Sequence, residues 1–339
     1  MLQDVSQPAQ DFEVEVENRP AALATALLFS GAIVIGALIG LVSPVAGETI
    51  SGWLDVTILL MIGLLLFELR LGDAVRAYGN LKFIAIAWSA NFILIPVIGF
   101  AIASLLLDQQ PLLFVGLMIY FLAPCTDWFL GFARMAGGAS ELGAALIPVN
   151  LCTQLLLFPL WLWVLTQHSQ LIDFSMMPML LLQWFLMPLA LSQFVRLTLT
   201  KMLPACRMDR VLAVTGRALP IVIAALIVQI FAAHMGAVTE NWSAFAAIAI
   251  AVMIFFLATF ILGAVISRAA SLPHRQRVLL SITMAARNAP LMLALTAVSL
   301  PGQPLVLAAI VFGMLVEIPQ LTLLKQVLLS SAPHKPPSG

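Results

Sequence analysis

Leu122-Ala123-Pro124-Cys125-Thr126-Asp127 interrupts one long apolar run of this chain, and Ala286-Arg287-Asn288-Ala289-Pro290 interrupts another. Each stretch puts proline and polar side chains in the middle of a segment otherwise suited to crossing a bilayer. In hydrocarbon every backbone N–H and C=O needs a partner. Irregular backbone at membrane depth therefore survives only where protein surrounds it or a cavity adjoins it. Paired interruptions in corresponding spans of two chain halves are the sequence signature of a secondary transporter's substrate site.

Working outward from the breaks, the rest of the chain reads as membrane-embedded. Hydrophobic residues make up 62% and charged residues 9% of the 339, far outside the range of a soluble globular domain. Apolar runs of about 18 to 25 residues, the length that crosses a ~30 Å hydrocarbon core, take up most of the chain. They predict ten spans at 21–43, 51–69, 81–106, 111–134, 142–166, 176–196, 216–235, 243–267, 276–299 and 304–328. The net charge of zero says nothing about nucleic acid, because the charges are sorted by topology and do not form a patch. Cys125, Cys152 and Cys206 have neither Cys-x-x-Cys nor Cys/His ligand spacing, so no disulfide framework, metal or cofactor is expected. Residues 1–20 carry Asp4, Asp11, Glu13, Glu15 and Glu17 against the single base Arg19, the reverse of a signal peptide's start. They are expected to be a solvated, disordered tail, as are residues 330–339 at the other end.

The basic stretch near 197–215 divides the spans into two sets of five. An odd number per half forces opposite orientations, so a shared fold would be an inverted repeat in which interrupted span 4 corresponds to interrupted span 9. Fifteen of the sixteen Lys and Arg residues fall in the terminal regions and in the loops after spans 2, 4, 6 and 8; the sixteenth is Arg287. The positive-inside rule then places both termini in the cytoplasm.

Ionisable residues at membrane depth are costly, about 2.5–3.5 kcal/mol each even on the lenient insertion scale, and point to function. Asp55, beside Trp53, reads as outer rim, and Glu68 as a rim partner of Arg70. Asp127 and Arg287 each sit at a break and carry opposite charge. They read as an ion pair across the pseudo-twofold axis, either a gate or a static lock. Glu317, mid-span in Val316-Glu317-Ile318-Pro319, is either a proton carrier or a carboxylate satisfied by the open backbone donors of the span 9 break. Cys125 is either a small buried hydrophobe or a soft ligand at the break. Asn150, Thr153 and Gln154 can line a polar cavity or join helices by hydrogen bonds. Met176-Met177 and Trp161, Trp163 and Trp184 read as packing and interface residues. No HExxH, GxSxG or nucleophile–base set suggests an enzyme.

Ala123-Pro124-Cys125-Thr126-Asp127-Trp128-Phe129, the Asn150 region, Ala286-Arg287-Asn288-Ala289-Pro290 and Val316-Glu317-Ile318-Pro319 together resemble the arsenical-resistance permease family. That family belongs to the bile acid, arsenite and riboflavin transporter superfamily, which also holds the sodium/bile acid symporters. The resemblance runs over about residues 20 to 328. It implies an all-α fold of ten transmembrane helices in two inverted five-helix repeats, with helices 4 and 9 discontinuous and crossing. A core of spans 3–5 and 8–10 would move against a panel of spans 1, 2, 6 and 7. Cys125 matches the cysteine those permeases need, in keeping with the preference of a soft centre for thiolate, and Glu317 matches their Glu-x-Pro. The chain departs from the family at Pro290 and Thr283, where the permeases and the sodium/bile acid branch respectively carry a span 9 carboxylate.

Two functions follow as expectations. The first is a plasma-membrane arsenite/proton antiporter, with Cys125, Pro124, Thr126, Asn150, Asn288 and Arg287 at the substrate and Asp127, Glu317, Thr283 and Gln154 at the coupling ion. The second is a sodium- or proton-coupled symporter of an organic anion, with Arg287 and the half-helix N-termini holding the anion.

Overall fold

Long runs of Leu, Ile, Val, Phe and Ala satisfy their backbone internally by coiling, and the chain is helical almost throughout. A computed structural model describes residues 7–68, 80–126, 128–166, 179 and 182–330. In chain order the helices are α1 (Gln7–Val42), α2 (Pro44–Ser51), α3 (Leu54–Glu68), α4 (Leu81–Ser89) and α5 (Ile95–Leu107). There follow α6 (Pro111–Leu122), α7 (Phe129–Met135), α8 (Ser140–Thr166), α9 (Met187–Met202) and α10 (Ala205–Glu240). The last are α11 (Trp242–Ala269), α12 (His274–Ala285), α13 (Ala289–Ser299) and α14 (Pro304–Ser330). A π-helical turn, Ala90–Leu94, joins α4 to α5 and keeps them one continuous rod, Leu81–Leu107.

Among the described residues, five helices are long and apolar enough to cross a membrane, and α2 with α3, bent by 41°, make a sixth candidate. Of the expected spans beyond this count, span 6 begins outside the described residues, and spans 4 and 9 fall short for a physical reason. The breaks cut spans 4 and 9 into pieces, and α6 and α13 reach only 12 and 11 residues. The start of α1 also differs from expectation: the helix begins at Gln7, inside the stretch read as a disordered tail. Extending a nucleated helix costs far less than starting one. Met176, Met177, Arg70 and Asp127, and with them the Glu68–Arg70 pair, lie outside the described residues.

Burial sorts the helices. Every residue of α6 from Val115 to Leu122 is buried, as is almost all of α13. Helices α9 and α11 instead present Leu191, Phe194, Ile250, Leu257 and Ile261 to the surroundings, as a lipid-facing wall does. Gly116 lets α6 lie directly on α14, since a Cβ there would run into the Val306 carbonyl. Basic and polar side chains close helix ends. Arg196 Nη1 donates to Phe67 O at 2.8 Å, and Lys82 Nζ donates to Ala270 O at 3.1 Å. Arg275 pairs with Glu141 at 3.1 Å, and Ala139 N donates to Arg275 O at 3.0 Å. The Lys82 and Arg275 contacts gather loops that the charge pattern assigns to one face.

Candidate functional site

Pro124 sets the first break, and Pro290, in the first turn of α13, cannot continue a helix back to Ala286, whose carbonyl four residues earlier it can neither bond nor clear. Proline disfavours helical geometry in the residue before it, and Ala123, which ends α6, is extended at φ −108°, ψ 106°. Ala286, which ends α12, is extended at φ −78°, ψ 136°. The two extended stretches meet as an antiparallel bridge between Pro124 and Arg287. Cys125 N donates to Ala286 O at 3.1 Å, and Asn288 N donates to Ala123 O at 2.9 Å. Each break thus supplies partners for backbone groups that the other leaves open.

Side chains close the rest. Asn288 caps α13, its Oδ1 accepting from Leu291 N at 3.4 Å, while its Nδ2 donates to Thr126 Oγ1 at 2.8 Å. Glu317 is fully buried and accepts three bonds. Arg287 N reaches Oε1 at 2.9 Å, Trp128 Nε1 reaches Oε1 at 3.1 Å, and the Tyr120 hydroxyl reaches Oε2 at 2.8 Å. The carboxylate therefore sits on an open backbone donor of the second break, one of the two roles its sequence position suggested. Gly313, one turn before Glu317, leaves room for the Tyr120 ring.

Arg287 is likewise fully buried. Its Nη1 donates to Phe121 O at 3.0 Å, in the last turn of α6. Its Nη2 lies 2.8 Å from Met284 O, 2.9 Å from Thr283 O and 3.3 Å from Asn91 Oδ1. Its Cζ stands 5.6 Å from the centre of the Phe255 ring, which itself stacks on Phe121. The guanidinium closes the C-terminal ends of both interrupted helices, where the last carbonyls lack intrahelical partners and the dipole is negative.

A sequence comparison then fixes the lineage, for the model of the sodium bile acid symporter family matches residues 56–257, more than half of the chain. The chain belongs to the sodium bile acid symporter family. No curated protein matches it. Family membership makes it a multi-pass membrane transporter of the sodium/bile acid symporter type.

Within this symporter-family chain, the remaining sequence candidates fall into two groups. Cys125 and Pro124 are buried in the bridge, and Thr126 is half-buried beside Asn288. Thr283 is buried on α12, where Asn91 Nδ2 donates to its Oγ1 at 3.3 Å. Asn150 and Gln154, on α8, are buried, and both amides lack partners among the described residues. Gln154 lines a narrow cleft of about 10 Å³, room for a single water, with Ile119, Ala123, Phe158, Trp161 and Met292, directly beside the first break. Thr153 instead accepts from Trp88 Nε1 at 3.1 Å, a helix-joining bond. Asp55 is exposed in the first turn of α3, consistent with a rim position. Cys152 and Cys206 are exposed.

Three site residues went unnoticed in the sequence. Asn91 was the findable one, an amide in the middle of an otherwise apolar span. Tyr120 is one of two tyrosines in the chain and sits two residues before a break. Trp128 lay inside the quoted motif and resembled an interface anchor.

Proposed function

We propose that the protein is a secondary active transporter of the cell membrane that carries a small amphipathic organic anion, with both termini in the cytoplasm. The observation that carries this reading is the match to the sodium bile acid symporter family, together with the two breaks that meet at the crossing. The narrow cleft beside them is walled by hydrocarbon and aromatic side chains, and its amide, Gln154, is buried without a partner among the described residues. Met292, on the first turns of α13, also lines the cleft. The positive end of α13 carries no acidic residue in its first turn, which favours an anionic group nearby. Transporters of this family move small organic anions coupled to sodium, which agrees in class. Asp127 is the proposed coupling residue. The core of spans 3–5 and 8–10 rocking against spans 1, 2, 6 and 7 is the proposed motion, within the proposed ten-span inverted repeat.

The test is reconstitution of the purified protein in proteoliposomes and flux measurement over a panel of carboxylates and sulfonates under an imposed cation gradient. Saturable, gradient-driven accumulation of one class, weakened by Gln154→Leu, is expected. Flux of none of them would reject the reading.

Arsenite/proton antiport is the second reading, and the observation that favours it is the place of Cys125 within the bridge between the two breaks. Expression in an arsenite-sensitive host separates the two. Resistance conferred by the wild type and lost in Cys125→Ser, with Cys206→Ser unaffected, would establish the arsenical. No resistance from the wild type leaves the organic anion.

A further inference from the structure

The hydrogen bonding of Arg287 is uneven in a way that a guanidinium does not call for. Nη2 carries two N–H groups, yet three oxygens, Met284 O, Thr283 O and Asn91 Oδ1, close on it within 3.3 Å. Nε, on the same guanidinium, is buried without a partner among the described residues. Oxygens converging on a point in excess of the available hydrogens form a coordination shell more than a hydrogen-bond fork. They come from chain elements that favour positive charge. Phe121 O, Thr283 O and Met284 O belong to the last turns of α6 and α12, the negative ends of two interrupted helices. Asn91 is presented by the π-helical turn Ala90–Leu94, a local distortion of a kind that collects at functional sites. Glu317, the one buried acidic residue among the described residues, binds the main-chain N–H of the same Arg287. Carbonyls at half-helix C-terminal ends are how transporters hold a coupling cation near the midplane.

We propose that this carbonyl cluster is a monovalent-cation site which the chain fills with its own Arg287, so that no sodium ion binds there and the transport cycle carries one cation fewer. Arg287 then stands as a tethered substitute for a coupling ion. The site keeps its charge balance in every state of the cycle, while an ion bound in that place would have to enter and leave. The inference rests on the transporter reading but not on which solute is carried. A readout of ion binding to the protein alone therefore separates its failure from failure of the substrate assignment.

The test is thermal unfolding of the detergent-purified full-length protein in sodium, potassium or choline chloride at equal ionic strength. The wild type is expected to melt at the same temperature in sodium as in potassium. Arg287→Ala exposes the oxygens to an exchangeable ion, and it is expected to melt lower in choline and to gain a saturable, sodium-selective rise in Tm. Equal sodium responses in wild type and Arg287→Ala, including none in either, would overturn the proposal. If Arg287→Ala yields no folded protein in any salt, Arg287→Lys decides. The ammonium keeps a cation among the same oxygens, so folded, sodium-indifferent protein is expected. Failure of Arg287→Lys as complete as that of Arg287→Ala would show that the site needs the guanidinium shape and not a cation, and would overturn the proposal equally.

Discussion

Glu317 is where the architecture is most exposed to a single change. Its two oxygens accept from Arg287 N, Trp128 Nε1 and the Tyr120 hydroxyl, and both the carboxylate and Arg287 are fully buried. Glu317→Ala leaves three donors without an acceptor, at about 1–3 kcal/mol each. Glu317→Gln keeps the shape. Its remaining oxygen can hold Arg287 N and Trp128 Nε1, and the Tyr120 oxygen can accept from the new amide, so only the Tyr120 hydroxyl proton loses its acceptor. The expected costs are therefore about 1–3 kcal/mol for Gln and about 3 to 9 kcal/mol for Ala. Against a typical total stability of about 5–15 kcal/mol, Glu317→Gln should survive purification with a lowered Tm. Glu317→Ala should give little monodisperse protein. Fluorescence-detected size exclusion before and after a heating series reads both. Equal losses in the two variants would refute the reasoning, because the three donors would then not depend on that acceptor.

Other outcomes follow from the same geometry. Gly116→Val should lower yield by overpacking α6 against the Val306 carbonyl, costing about 1–3 kcal/mol or more, whereas Gly131→Ala, with nothing within 4 Å of the added carbon, should leave the melt unchanged. Gln154→Leu should hold or raise Tm, since it removes a buried amide without a partner, while flux falls; a lowered Tm would mean the amide is satisfied. A reporter fused after α14 should read cytoplasmic, and an external reading would undo the inverted-repeat proposal. For Asp127 and Arg287, a double-mutant cycle of Asp127→Asn and Arg287→Gln on Tm should show coupling if they pair across the crossing, and simple additivity if they do not.

The breaks were legible because proline and polar residues stand out in runs of Leu, Ile and Phe, and because backbone rules forbid such an interruption facing lipid. What each break does was less legible. Charge and position suggested Asp127 as the partner of Arg287, a pair that lies outside the described residues. The fold sets Arg287 on Thr283 and Met284 of its own helix end, contacts with no sequence signature. Asn91 escaped for a related reason, since nothing in the sequence ties this one amide of span 3 to Thr283 on α12. Spans 4 and 9 fall short of a full crossing length because the interruptions that mark them also shorten their pieces.

The two breaks also constrain how the protein can move. Cys125 N depends on Ala286 O and Asn288 N on Ala123 O, so neither extended stretch can satisfy its backbone if the other withdraws. Arg287 adds a third tie by holding Phe121 O of the first break from the second, and Glu317 adds a fourth by gathering Tyr120, Trp128 and Arg287 onto α14. Separating the breaks at membrane depth would orphan two main-chain donors and Arg287 Nη1 at once, a far larger penalty than sliding one apolar helix face over another. Any motion that opens the cleft to alternate sides must therefore carry α6, α7, α12, α13 and α14 as one body. The slip must fall where the contacts are apolar and the backbone is already satisfied, against the helices outside this body.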